Sequence, residues 1–326
     1  MYSCGGKGRR IHYLVLAPNK EVVKQIIEFL KTKGRLDYDG RPIFGFSSIE
    51  LVEEMEKISK DIEIIPAHAW TPWFGIFGAM SGFDSLREAF QDKVGRIHAI
   101  ETGMSSTPKM NWRVKELNEK SIISFSDSHS FWPWRIGREA TIFKASTDLN
   151  YKDILRQIRE NSFKATIEVD PAYGRYHFDG HRNCGFSCSP KETKEINGIC
   201  PKCQQKLTIG VENRVEQLAD NPLNFKPRNA KSFYKLLPLH ELIALAKAST
   251  LSSRKTWKIY NGLVEKFGNE FNVLLYAERV ELAKFLQDEN LVKLIIDNRA
   301  GNIKVKPGYD GKYGVALLPE MQSKLF

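Results

Sequence analysis

From His12 to about Phe163, short apolar runs alternate with amphipathic ones. The run His12–Ala17 predicts a strand. Asn19 to Lys33 places Val22, Val23, Ile26, Ile27 and Leu30 on one face of a helix, and Ser48 to Lys60 does the same with Leu51, Met55 and Ile58. Three further apolar segments run into His68, Glu101 and Asp127, with short helices predicted over 84–90 and 111–118 between them. A helix over Tyr151–Ser162 and a strand over Phe163–Val169 follow. Alternation of this kind predicts an α/β chain with a mostly parallel sheet or barrel. From Leu236 onward the pattern is helical, broken near Ser249–Thr250 and Gly268, and 302–311 reads as a strand and a turn. Between these regions, Asp170–Gly210 is rich in Gly, Cys, Lys and Asn and lacks apolar periodicity. Something other than a core must hold it.

A chain of 326 residues is long enough for two or three cores. The pattern divides it into 1–169, 170–221 and 222–326. No stretch approaches the roughly 20 apolar residues that cross a bilayer. The start, MYSCGGKGRRIHYL, has no apolar h-region, so the expectation is a cytoplasmic protein with no membrane contact. The net charge is +10, and residues 222–326 carry 17 Lys and Arg against 10 Asp and Glu. A basic surplus concentrated in one third favours a polyanion such as nucleic acid over an acidic or small neutral partner.

Four of the five cysteines fall between Cys184 and Cys203. The spacing is His181-x2-Cys184-x3-Cys188, then Cys200-Pro-Lys-Cys203. A C-x2-C knuckle puts two thiolates on one tight turn, and a second pair completes a tetrahedron for structural Zn2+. Cys184, Cys200 and Cys203 supply three ligands. His181 and Cys188 compete for the fourth place, with His181 preferred because it forms a second x2 knuckle.

His12, His68, Glu101, Asp127 and His129 leave strand ends with imidazole and carboxylate together. That mixture suits Zn, Mn or Fe sites that activate water at a phosphodiester, and the divalent ions expected in the barrel are Zn2+, Mn2+ or Mg2+. Asp127 and His129 are two apart, which points both side chains the same way if the segment is extended. A lone strand-end histidine is more often a hydrogen-bonded core group. His98 and His240 are read that way, and His177 fits either role. The loops after these residues hold Trp70, Trp73 and Phe74, then Phe131, Trp132, Trp134, Arg135 and Arg138. Aromatics beside a metal site can stack an unpaired base, and the arginines can meet phosphate or pair with Glu139.

Seven segments carry a resemblance: Pro66–Gly75 (PAHAWTPWFG), Ile100–Ser106 (IETGMSS), Ser126–Ser130 (SDSHS), Gly137–Thr141 (GREAT), Asp179–Cys184 (DGHRNC), Asn197–Cys203 (NGICPKC) and Val305–Gly311 (VKPGYDG). They resemble endonuclease Q, a family of metal-dependent DNA repair nucleases with a PHP domain. The resemblance implies a PHP-type (β/α) barrel, a small zinc-binding module and a mainly helical, basic C-terminal DNA-binding domain. It implies nicking 5′ of deaminated bases (uracil, hypoxanthine, xanthine) or abasic sites. His12, His68, Glu101, Asp127 and His129 would be barrel metal ligands, with His68, Glu101, Asp127 and His129 catalytic. Trp70, Trp73 and Phe74 would face the strand or the lesion. Helicase activity is not expected, because the chain has no G-x4-G-K-[ST] loop.

The departure from that pattern lies at the start. PHP domains open with a His-x-His strand and further His and acidic ligands, and no His or acidic residue precedes His12. The expectation is an N-terminally incomplete barrel that binds its metals weakly. Two alternatives follow: a non-catalytic DNA-binding paralogue, and a PHP phosphoesterase on small phosphates.

Overall fold

The computed structural model describes residues 1–4, 6–37, 42–145 and 148–317. Residues 318–326, part of the expected C-terminal domain, lie outside it. The helix Lys20–Lys33 starts where the sequence says it should, because the Asn19 side chain accepts the Val22 amide and so caps it. Ser47 caps Ser48–Ile58 in the same way. The Leu51, Val52 and Met55 side of that helix is buried.

The sheets correct the parallel expectation. Tyr13–Leu16 pairs antiparallel with Glu63–Pro66, in register Tyr13 to Pro66. Ala99–Glu101 pairs parallel with Ser121–Ile123. Ala165–Glu168 lies between antiparallel Ala140–Ile142 and parallel Ser232–Lys235. Strand direction is set by how connections return, and apolar periodicity does not carry it. The predicted 111–118 helix is a short helix Pro108–Asn111 followed by a 3-10 turn Lys115–Leu117. Ser232–Lys235 is a strand that the apolar pattern does not signal, because it is half-exposed and only four residues long.

One core gathers under the first half: Trp70, Phe77, Phe83, Leu86 and Phe90 pack with Val211 and Val215. A second joins Ile167 and Val169 to Leu239, Ile243, Leu263, Leu282 and Ile295 of the C-terminal helices. Core contacts therefore cross both expected boundaries. The cysteine segment has only a small cluster of its own, in which Cys188, Cys200 and Leu207 are buried. Such a cluster is too small to order the segment alone. No helix among the described residues is long and apolar enough to cross a membrane.

Candidate active site

Ile64 and Ile65 bury the strand Glu63–Pro66 and carry the chain into the site. At the strand's start the inaccessible Glu63 carboxylate is held by Arg159 Nε at 2.7 Å and His98 Nδ1 at 2.8 Å. His98 is thus a hydrogen-bonded group, half-buried at the edge of the core. Past the strand, the Ala67 amide donates to the His12 carbonyl at 3.0 Å, and the chain turns through His68 with φ 33°. That turn brings His68 Nε2 to 3.1 Å from His12 Nδ1. Phe74 stacks on the His12 ring, centroids 4.6 Å apart.

Glu101 ends its strand, and its carboxylate accepts the His68 amide at 2.6 Å. Gly103 is required here. Its φ is +50°, and a Cβ there would lie 2.4 Å from His68 Cβ. The third strand stops at Ile123, so Asp127 stands in a loop rather than at a strand end. Asp127 and His129 have φ 40° and 51°, in the left-handed region, so the segment is not extended and strand pleating does not set their shared direction. They meet all the same, with Asp127 Oδ1 at 3.0 Å from His129 Nε2. Arg138, buried, donates from Nε to the Ser126 carbonyl and from Nη2 to the Asp127 carbonyl, each at 2.9 Å.

His12, His68, Glu101 and Asp127 line a cavity of about 870 Å3 whose remaining walls are mostly apolar, Phe74 and Phe125 among them. Burial pushes the Glu101 carboxyl up to about 7, with Asp127 adding to the rise and the His68 amide opposing it. Burial also lowers the His68 imidazole below its ordinary value. Both shifts favour the neutral forms, as burial does for carboxyl and imidazole alike. Behind them lie two buried carboxyls, Glu168, which the sequence pattern does not mark, and Glu139, which it marks only as an arginine partner. Glu168 accepts the Thr102 hydroxyl at 2.7 Å and the Thr166 hydroxyl at 2.5 Å, and burial raises it to about 8. Glu139 accepts the Met104 and Val169 amides and is pushed well up by burial and by Glu168. Both brace the turn that follows Glu101. The available signal was an acid inside the apolar run Ala165–Glu168.

The aromatic candidates separate. Trp70 is inaccessible, stacks on Phe77 at 4.8 Å and donates Nε1–H to Asn111 at 2.7 Å. It is a core residue, which corrects its reading as a nucleic-acid contact. Trp73 meets Tyr176 edge to face at 5.5 Å. Arg138 spends its guanidinium on backbone carbonyls, not on Glu139. Arg135 is half-buried on the short helix Pro133–Ile136.

The second candidate group is tighter. A hairpin of Asp179–His181 and Phe186–Cys188 presents one knuckle to the Cys200–Cys203 turn. One ligand atom each from His181, Cys184, Cys200 and Cys203 lies within 4.8 Å of all the others. A tetrahedral ion with Zn–S bonds of about 2.3 Å sets its ligand sulfurs about 3.8 Å apart, so the donor set fits with little closing. Burial pushes the Cys200 thiol up, but the Lys202 and Cys203 amides and His181 outweigh it and bring it down to about 6. Thiolate is the ligand form. Cys188 Sγ is turned instead to the Thr193 hydroxyl at 3.2 Å. Among the described residues this is the group of three or more donors that closes around one point. The candidate barrel donors meet in two close pairs, His12 with His68 at 3.1 Å and Asp127 with His129 at 3.0 Å.

A mixed α/β scaffold with buried acids, paired histidines and a Cys3His knuckle defines the class, and comparison with known proteins gives it a relative. Residues 238–302 match the family model described as the MJ0043 C-terminal domain. The uncharacterized protein MJ0043 of Methanocaldococcus jannaschii is 30% identical over 76% of this chain, which spans only 31% of that protein's length. The uncharacterized protein YqxK of Bacillus subtilis is 27% identical over 96% of the chain and 74% of its own length. The crystal structure of the lesion-specific endonuclease PfuEndoQ from Pyrococcus furiosus superposes with a TM-score of 0.85 at 28% identity, over 97% of this chain and 77% of that one. A structure of endonuclease Q with a 27-mer duplex carrying an abasic lesion at its active site gives a TM-score of 0.84 at 28% identity, over 96% and 77%. The resemblance to endonuclease Q read from the motifs therefore extends to the fold of nearly the whole chain.

Proposed function

We propose that this chain is a metal-dependent DNA repair endonuclease of the endonuclease Q type, which nicks the phosphodiester 5′ of a damaged nucleotide. The observation that carries the reading is the shared cavity of His12, His68, Glu101 and Asp127, with His129 against Asp127, in a chain that superposes on a lesion-specific endonuclease. The architecture we assign is a PHP-type barrel over 1–169, a zinc-binding module over 170–221 and a basic helical DNA-binding domain over 222–326. Deaminated bases and abasic sites are the proposed lesions.

His12, His68, Glu101, Asp127 and His129 are the residues that would hold Zn2+, Mn2+ or Mg2+, and such ions supply an activated water and positive charge at the phosphate. The chain's own residues do the rest. Glu101 fixes the His68 backbone, Arg138 fixes the Asp127 loop, and Phe74 walls the cavity over His12. Structural Zn2+ belongs to His181, Cys184, Cys200 and Cys203. The basic C-terminal third holds the duplex through phosphates, so binding weakens as salt rises.

Asp127→Asn tests the assignment on uracil, hypoxanthine and abasic duplexes with Mn2+ or Mg2+. The expected result is 5′ nicking by the parent and a loss of about 100-fold or more in the variant, the scale of removing one group that stabilises transition-state charge. Equal nicking by both removes Asp127 from the site. One observation favours a second reading, a DNA-binding protein without nuclease activity: His12, His68, Asp127 and His129 form two pairs rather than one closed group. It predicts lesion-duplex binding with no nicking under any divalent ion.

A further inference from the structure

Two residues beyond His129 the chain exposes an aromatic pair that the site above does not use. Phe131 is 75% exposed and Trp132 is 40% exposed. An aromatic that merely fastens a loop is buried, as Trp134 is beside them. Phe131 and Trp132 instead form the outer end of a stack. Phe131 packs on Trp132 at 4.8 Å, and Trp132 lies parallel to Trp134 at 5.1 Å and 4°. Trp134 rests on His240 at 4.8 Å, and His240 is inaccessible to solvent.

The root of the stack belongs to the C-terminal helices. His240 sits between Trp257 at 4.7 Å and Tyr260 at 3.9 Å. The Tyr260 hydroxyl donates to Glu270 at 2.9 Å, and Glu270 accepts the Leu239 amide at 2.8 Å. Both His240 ring nitrogens lack hydrogen-bond partners, so the ring serves there as a packing surface. Aromatic, imidazole and carboxyl groups from 239–270 thus hold two exposed rings in one orientation. Holding them beforehand removes the ordering cost of binding.

We propose that Phe131 and Trp132 form a stacking surface for the nucleobase face exposed at a lesion, and that the 238–302 domain is its buttress. This rests on the endonuclease reading above and adds to it how damage is told from intact duplex. A flat π surface beside Arg135, on a chain of net charge +10 and next to candidate phosphodiester-cleaving donors, matches a base whose neighbour is missing or unpaired. In an intact duplex both faces of each base are already stacked, so the surface gains nothing there.

The test is equilibrium binding without added divalent ions, so that cleavage does not interfere. The probes are a duplex with one abasic analogue opposite 2-aminopurine and the same duplex intact. The parent is expected to prefer the lesion duplex and to change 2-aminopurine fluorescence on binding. Trp132→Ala and Phe131→Ala are expected to lose about 5- to 100-fold of affinity for the lesion duplex, with affinity for intact duplex unchanged. Trp132→Phe should recover most of the loss. Phe131→Ala guards against misfolding of the Trp132 variant, because Phe131 is mostly in solvent. No lesion preference in the parent, or an undiminished preference in both alanine variants, overturns the proposal. Lesion preference that depends on Trp132 in a protein that nicks nothing upholds it and sinks the nuclease reading instead.

Discussion

Removing the Arg159 guanidinium should destabilise the strand that delivers His68. Glu63 is 1% exposed and its two oxygens are taken by Arg159 and His98, while the Arg159 side chain is 25% exposed. Breaking a buried pair by deleting one partner costs about 3–5 kcal/mol, because the remaining charge is stranded. Water reaches part of Arg159, and His98 still faces the carboxylate, which puts the loss near the lower limit, about 3 kcal/mol. Arg159 Nη2 also donates to the Lys60 and Ile62 carbonyls at 2.8 and 3.2 Å, so Arg159→Met loses these bonds as well. At roughly 2–4 °C per kcal/mol for a unit of this size, the melting temperature should fall by about 6–12 °C. Circular dichroism melts of the parent, Arg159→Met, Glu63→Gln and the double variant measure it. Without the carboxylate charge the arginine has less to neutralise, so Arg159→Met should cost about 2 kcal/mol less in the Glu63→Gln background. A drop under about 2 °C, or an equal cost in both backgrounds, would refute the stranded-charge account.

The cysteine group should hold one Zn2+ per chain by elemental analysis. Cys203→Ser should lose that ion and open 178–208 to protease while the helical signal stays within about 10% of the parent, since the C-terminal helices keep their own core. Burial lowers His177 to about 4, well below its ordinary 6.5. Its folded value lies below its unfolded one, so the protein binds fewer protons there when folded. Stability is complete above 6.5 and declines as pH falls toward 4, by about 2 kcal/mol at pH 5 for this group. Urea midpoints at pH 7 and pH 5 should show that loss in the parent and less of it in His177→Phe.

The parts of the fold that could be read ahead are those in which one physical rule acts locally. Asn19 and Ser47 cap helices because each has a short polar side chain before an apolar stripe. The knuckle residues converge because x2 spacing leaves two donors on one turn. What the pattern could not carry was direction and depth. Trp70 and Trp132 occupy similar positions after candidate donors, yet Trp70 is inaccessible and hydrogen-bonded to Asn111, whereas Trp132 stands on the surface. The difference lies in what the distant chain supplies, an Asn111 side chain for one and a Trp134–His240 ledge for the other. The sequence marks Glu139 only as a partner for arginine and Glu168 not at all, for a related reason. Buried acids are invisible in sequence unless the amides and hydroxyls that receive them can be foreseen.

Backbone strain links these elements to the candidate chemistry. His68, Phe74, Met104, Asp127 and His129 all have positive φ without being glycine. Each such residue costs of order 1 kcal/mol, and it persists only where its surroundings over-determine it. The surroundings here are specific. The Glu101 carboxylate accepts the His68 amide, Gly103 leaves room for His68 Cβ, Glu139 accepts the Met104 amide, and Arg138 donates to the Ser126 and Asp127 carbonyls. Buried charged and acidic groups thus hold the donor-bearing turns from behind, while His12, His68 and Asp127 face the cavity. Three of the positive-φ residues, His68, Phe74 and Asp127, line one cavity, which is the physical reason to look for the reaction there.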